Sequence, residues 1–169
     1  MSSGKLAAPV SIHKTHRVDL FDCGSPELND YLQKFALANH QSGLARSYVA
    51  CRGKRIVGFY SLVFGSISHA DATARASKGI PRHPIPIILI ARLAVDKTEQ
   101  GAGMGKGLVR DAMLRTLQAA DIGGLRAILV HAKDQTAAEF YERFGFEPSP
   151  TNKQHLMMLM KDIRATFET

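Results

Sequence analysis

The strongest constraint on this chain is a junction. The nearly continuous apolar run Ile87–Val95 leads into Gln100-Gly101-Ala102-Gly103-Met104-Gly105-Lys106, and that glycine-rich stretch opens a segment patterned as a helix. An apolar run of this kind is the signature of a central strand covered on both faces. In the segment from Met104 to Ala120, residues Leu108, Ala112, Met113 and Leu117 trace one helical stripe. Glycines let the backbone turn tightly and bring its N–H groups against a ligand without a Cβ in the way. The start of the helix that follows adds unsatisfied N–H groups and the positive end of a dipole, a combination that favours phosphate or pyrophosphate. Two familiar phosphate loops fail on spacing. A P-loop requires Gly, four residues, then Gly-Lys-Ser/Thr, but Gln100 stands five before Gly105 and Gly107 follows Lys106. A dinucleotide loop G-x-G-x-x-G would need glycine at Lys106 or at Leu108.

The remaining pattern surrounds this unit with further elements of both kinds. Ser25-Pro26-Glu27 is a helix start, with a capping Ser, Pro at the first helical position and an acid in the first turn. Leu28, Tyr31, Leu32 and Phe35 then fall at helical spacing and predict an amphipathic helix to about Asn39, its apolar side in the core. Ser47–Cys51 and Ile56–Phe64 predict a hairpin around Gly53-Lys54. Residues 66–86 read as a long loop rich in Ser, Ala, Gly and Pro. Leu125–His131 predicts a strand, Thr136–Phe144 a short helix stopped at Gly145, and His155–Lys161 a last strand. The order predicts one α/β domain over residues 1–169, a mixed sheet flanked by helices.

Composition narrows the function classes. No apolar run approaches the roughly 20 residues that cross a bilayer. Met1-Ser2-Ser3-Gly4-Lys5 lacks the apolar core of a signal peptide, so a cytoplasmic location is expected. Cys23 and Cys51 form no CxxC pair, the scattered histidines complete no ligand set, and no metal is expected. Lys and Arg total 22 against 15 acidic residues, a net charge of +7 that favours an anionic partner larger than a cofactor.

Gln-x-x-Gly-x-Gly, as it stands at Gln100–Gly105 after Leu93-Ala94-Val95-Asp96, resembles the pyrophosphate loop of the GNAT acetyltransferases. Ala137-Ala138-Glu139-Phe140-Tyr141-Glu142-Arg143-Phe144-Gly145-Phe146 resembles the family's helix whose tyrosine faces the acetyl-CoA sulfur. The resemblance implies the GNAT acyl-CoA N-acyltransferase fold, with acetyl-CoA as cofactor. It places the pantetheine arm along Leu93, Ala94 and Val95 and the pyrophosphate at Gln100, Gly101, Ala102, Gly103, Met104, Gly105 and Lys106. Ala137 and Phe140 are expected beside the cofactor, although Phe140, like Phe144 and Phe146, also reads as a core aromatic. Tyr141 is expected to protonate the departing thiolate, since a phenol with a pKa near 10 carries its proton at neutral pH. No general base stands out. Asp96, Glu99, Glu139 and Glu142 are candidates by position, but each also reads as a solvated charge or a cap. A site without a strong base suits an α-amine, which titrates near 8, better than a lysine side chain.

Arg92-Leu93-Ala94-Val95-Asp96, Val130-His131-Ala132-Lys133-Asp134, Phe146-Glu147-Pro148-Ser149-Pro150 and the early Phe21-Asp22…Leu28…Tyr31-Leu32 resemble one branch of that family, the GNAT-type toxins of bacterial toxin–antitoxin modules. The likeness runs from about residue 12 to 162. It implies acetylation of the α-amine of aminoacyl-tRNA, which blocks translation. It also implies a homodimer and a ribbon–helix–helix antitoxin as partner. Arg46, Arg75, Lys78, Arg82 and above all Arg92, an arginine within an apolar strand, are the expected tRNA contacts. Two alternatives stay open at this level. One is an acetyltransferase for a small amine or a protein N-terminus; the other is a non-catalytic module that binds acyl-CoA or a partner.

Overall fold

A computed structural model describes residues 4–168. The chain forms two compact units, the residues up to Val63 with Ala91–Ala112, and Phe64–Ile90 with the residues from Met113 onward. Strands β3 (Arg55–Ile67) and β4 (Ile85–Val95) and helix α4 (Met104–Ala120) each contribute residues to both.

In the first unit, β1 (Val10–Ser11) pairs antiparallel with β2 (Arg46–Arg52), and β2 pairs antiparallel with β3 from Arg46↔Leu62 to Arg52↔Arg55. The expected hairpin around Gly53-Lys54 is therefore present. Ser25 caps helix α1 (Pro26–Asp30) by accepting a hydrogen bond from the Leu28 amide. The helix does not run on regularly. Tyr31–Phe35 form a π turn before α2 (Ala36–Ser42). The wider turn rotates the stripe, so Tyr31, Leu32 and Ala36 enter the core while Phe35, expected there on spacing, is 54% exposed. The core beneath them gathers Ile12, Phe21, Val49, Ile56, Phe59 and Ala94.

In the second unit, β4 pairs parallel with β5 (Ala127–His131) from Ile87↔Ala127 to Ile90↔Val130. β5 pairs antiparallel with β7 (His155–Leu159), which in turn pairs with β6 (Glu147–Pro148). This is the mixed sheet that the element order predicts. Alternation along the strands divides its faces. Ile87, Leu129 and Met157 pack with Ala72 and Ala76, the latter from the short helix α3 (Ala74–Ser77). Ile128, Val130, Leu156 and Met158 are buried on the other face, and helix α5 (Gln135–Glu142) packs on β7.

Two elements differ from the sequence expectation. The last strand stops at Leu159, and Met160–Phe167 is a helix, α6, that buries Met160 and Ile163. Residues 66–86 are a folded flap rather than a loose loop. Arg75 bonds Asp162 through both terminal nitrogens and also reaches Glu147 at 2.7 Å. Arg126 donates to the carbonyls of Arg75 and Ala76 at the end of α3. Asp71 accepts from Thr151 Oγ1, and its carbonyl accepts from Ser149 Oγ. No helix of the described residues is long and apolar enough to cross a membrane.

Candidate active site

The glycine loop lies in the first unit between β4 and α4. Gly101 and Gly103 take φ values of +82° and +88°, a region that side-chain-bearing residues avoid. A Cβ built on either would meet nothing within 4 Å, so the loop has open space above it. The side-chain amide of Gln100 donates to the carbonyls of Val95 and Cys23, at 2.8 and 3.1 Å, and so ties the loop to the end of β4. Gln100 thus acts by shaping the loop. Lys106 is exposed on the first turn of α4, Met104 is buried, and Ala102 is exposed. A bare glycine turn opening a long helix, with room over it and a lysine beside it, fits a pyrophosphate.

Along β4, Ala94 is buried while Leu93 and Val95 are half-buried. Arg92 is half-buried and lies flat over the Tyr31 ring, its Cζ 3.5 Å from the centroid. It makes no hydrogen bond or ion pair among the described residues. Stacking fixes the guanidinium plane and leaves its N–H edge for an anion. Glu27, Asp30, Phe35 and Asn39 line the same pocket. Arg46, by contrast, donates to the His40 carbonyl near the end of α2.

Two of the four candidate bases are engaged in the fold. Asp96 accepts from the Asp22 and Thr98 amides, from Thr98 Oγ1 and from Arg55 at 3.3 Å. Burial pushes its carboxyl up, but these donors outweigh it and hold the pKa below the ordinary value. Glu99 takes two hydrogen bonds from Arg52, each 2.9 Å, and the arginine lowers its pKa. Glu139 and Glu142 are exposed on α5.

Tyr141 lies in the second unit, on α5, whose first turn is capped by Asp134 accepting from the Ala137 amide. The residue is 6% exposed, and its ring meets Phe140 and Phe146 edge to face, at 5.1 and 5.5 Å between centroids. Burial pushes the phenol pKa up to about 12. The hydroxyl makes no hydrogen bond among the described residues. A buried phenol that keeps its proton and has no protein partner is suited to donate to an incoming group. Of the other expected residues, Ala137 and Phe140 are half-buried on the same helix, Lys78 and Arg82 are exposed, and Arg75 is held by two carboxylates. Sequence reading missed the facing pair His131 and His155, whose rings stack at 3.9 Å. Register alone could have found it, once β5 and β7 were known to be neighbours.

A mixed sheet, a glycine turn opening a long helix and a buried tyrosine on a later helix define an acyl-CoA-dependent transferase fold. Residues 43–148 match the acetyltransferase (GNAT) domain, and the chain belongs to that family of N-acetyltransferases. It is 54% identical, over 94% of its length and 95% of the relative's, to the tRNA-acetylating toxin of Mycobacterium tuberculosis. Among solved structures it resembles AtaT complexed with acetyl-methionyl-tRNAfMet, at 28% identity and a TM-score of 0.89 over 96% of this chain and 99% of that one. It also resembles a Tyr-to-Phe variant of the toxin AtaT bound to the C-terminus of the antitoxin AtaR, at 26% identity and a TM-score of 0.84 over 97% and 99% of the two chains.

The loop geometry carries a prediction. Gly103→Ala meets no steric obstacle, but alanine at φ +88° is strained by about 1–2 kcal/mol, so the backbone relaxes and re-aims its amides. Acetyl-CoA affinity, measured by calorimetry, is expected to fall about tenfold. An unchanged affinity would show that the turn does not touch the cofactor.

Proposed function

We propose that the two units act together as one acetyltransferase domain, which transfers the acetyl group of acetyl-CoA to the α-amine of aminoacyl-tRNA and so blocks translation. The protein would act in the cytoplasm as a homodimer, neutralised by a ribbon–helix–helix antitoxin. The relatives support this reading: one is a tRNA-acetylating toxin, and others are structures of a toxin with acetylated tRNA or with an antitoxin. The single observation on this chain that carries the chemistry is Tyr141, buried, its pKa raised by that burial and its hydroxyl without a hydrogen bond among the described residues.

In this mechanism the glycine loop and Lys106 would hold the pyrophosphate, and Leu93–Val95 would offer backbone groups to the pantetheine arm. Acetyl-CoA supplies the activated acyl group. Tyr141 would supply the proton that the departing sulfur takes up. The amine must arrive neutral, and Asp96 and Glu99, both engaged with arginines, are not free to take its proton. An α-amine titrating near 8 is already partly neutral. Arg92, its plane set by Tyr31, would meet an anion of the acceptor.

The test is transfer of labelled acetyl from acetyl-CoA into total tRNA, with charged and deacylated pools compared. Label is expected only in the charged pool. No label in either, from protein that binds acetyl-CoA, would turn the reading toward small amines or protein N-termini.

A further inference from the structure

Apart from Tyr141, the second unit holds two adjoining cavities, of about 670 and 230 Å³, with Ser66, Ile67 and Ser68 as a common wall. Arg82, His69 and His83 line the larger, and His131, His155 and Asp71 line the smaller.

Three observations decide which chemistry fits. His131 and His155 are directly opposed in the β5–β7 register, and their rings lie face to face, 3.9 Å apart and 17° inclined. Burial first, and the neighbouring imidazole second, lower the pKa of His131, which leaves it uncharged at pH 7. The stacked pair forms an aromatic shelf among the residues that line the smaller cavity. Charge comes next. Asp71, the carboxylate of the smaller cavity, is taken up by Ser68 Oγ at 3.0 Å and Thr151 Oγ1 at 2.6 Å. Arg82 makes no hydrogen bond or ion pair among the described residues, whereas Arg75 nearby in sequence is held by Glu147 and Asp162. The hydroxyls keep Asp71 ionised, so the smaller cavity holds that carboxylate while the full charge of the larger is the positive one of Arg82. Finally, Phe64 is 68% exposed and falls on the same face of β3 as Ser66.

We infer that these cavities form an RNA subsite for the unpaired nucleotides at the 3′ end of a tRNA acceptor arm, with a base stacked on the His131–His155 shelf and a phosphate on Arg82. This rests on the aminoacyl-tRNA reading above and adds how the substrate is gripped. Unstacked bases bind flat aromatic surfaces, imidazoles included, while paired RNA shows a protein mainly phosphates, hydroxyls and base edges. An acidic peptide would use Arg82 but gain nothing from a stacked pair of rings.

The test uses the full chain carrying Tyr141→Phe, to suppress turnover, and a fluorescein-labelled single-stranded RNA ending in CCA, read by anisotropy. The double variant His131→Ala/His155→Ala is expected to bind about tenfold more weakly. His131→Phe/His155→Phe, which keeps flat rings, is expected to stay within about twofold of the parent. Arg82→Ala should weaken binding and reduce the slope of log K against log salt by about 0.7, a change that the histidine variants do not make. Acetyl-CoA affinity, measured by calorimetry, serves as the folding control and should not change in any of them.

Equal RNA affinity in the Ala and Phe double variants overturns the shelf, and an unchanged salt slope in Arg82→Ala overturns the phosphate contact. Displacement of the RNA by a polyglutamate peptide equally well from parent and histidine variants would assign the cavities to a protein partner instead. In the active enzyme the Ala pair should raise KM for charged tRNA with kcat little changed. Failure of the parent reading would look different: no transfer to charged tRNA by the wild-type enzyme, whatever the binding data show.

Discussion

Replacing Tyr141 with phenylalanine is expected to lower acetyl transfer by about 10²–10⁴-fold, the usual contribution of a positioned general acid. The substitution removes only the hydroxyl, and that hydroxyl bonds to no described residue, so folding should be little affected. The ring contacts with Phe140 and Phe146 remain. Acetyl-CoA affinity should stay within about twofold, because the change falls on the departing thiolate and not on the bound thioester. Burial holds the phenol near pKa 12, so its proton stays in place across the neutral and mildly alkaline range. Any alkaline decline in kcat well below that value must then come from another group. Single-turnover rates with saturating acetyl-CoA make the measurement. A loss of less than about threefold would remove Tyr141 from the chemistry.

Asp96→Ala is expected to destabilise the protein by about 3 kcal/mol, in the range for breaking a buried ion pair from one side. The Asp96 side chain is 3% exposed, that of Arg55 is 20% exposed, and Arg55 Nε already lacks a hydrogen-bond partner. Removing the carboxylate would strand a guanidinium in the interior and free the Asp22 amide, which joins the segment before α1 to the end of β4. The pKa of Asp96 is lowered in the folded state, so its stabilisation is present above about pH 4, the unfolded value. It is lost as pH falls through the folded value. Urea midpoints at pH 7 and at pH 3 test this, and the difference between wild type and Asp96→Ala should shrink at the lower pH. A stable Asp96→Ala protein with slow turnover would instead restore Asp96 as a candidate base.

Much of this protein is legible along the chain because the decisive constraints are local. Positive φ at Gly101 and Gly103 is a demand that only glycine meets readily, and it is written in the glycine pattern itself. Ser25-Pro26 announces α1, and α4 runs over the stripe that periodicity marks, Met104–Ala120. The same holds for the helix carrying Tyr141. Where sequence reading fell short, a short local signal met a tertiary competitor. Phe35 kept helical spacing but lost its place in the core to a π turn. The strand reading to Lys161 was overridden when Met160 and Ile163 found burial as a helix.

The charged residues show the division most clearly. From the sequence, Arg75 and Arg82 are equivalent basic residues, Arg92 stands apart only by its apolar strand, and Asp96 and Glu99 are equivalent candidate bases. The fold separates them. Arg75 meets Glu147 and Asp162, 72 and 87 residues away, while Arg92 lies on Tyr31. Asp96 and Glu99 are taken by Arg55 and Arg52. His131 and His155 face each other because β5 and β7 pair in one register. By itself the sequence determined most of the strands and helices, the glycine turn and the helix of the tyrosine, since these depend on backbone preferences within a few residues. Only the tertiary structure decided which charges are neutralised and which side chains meet, because those energies depend on distance in space and on burial.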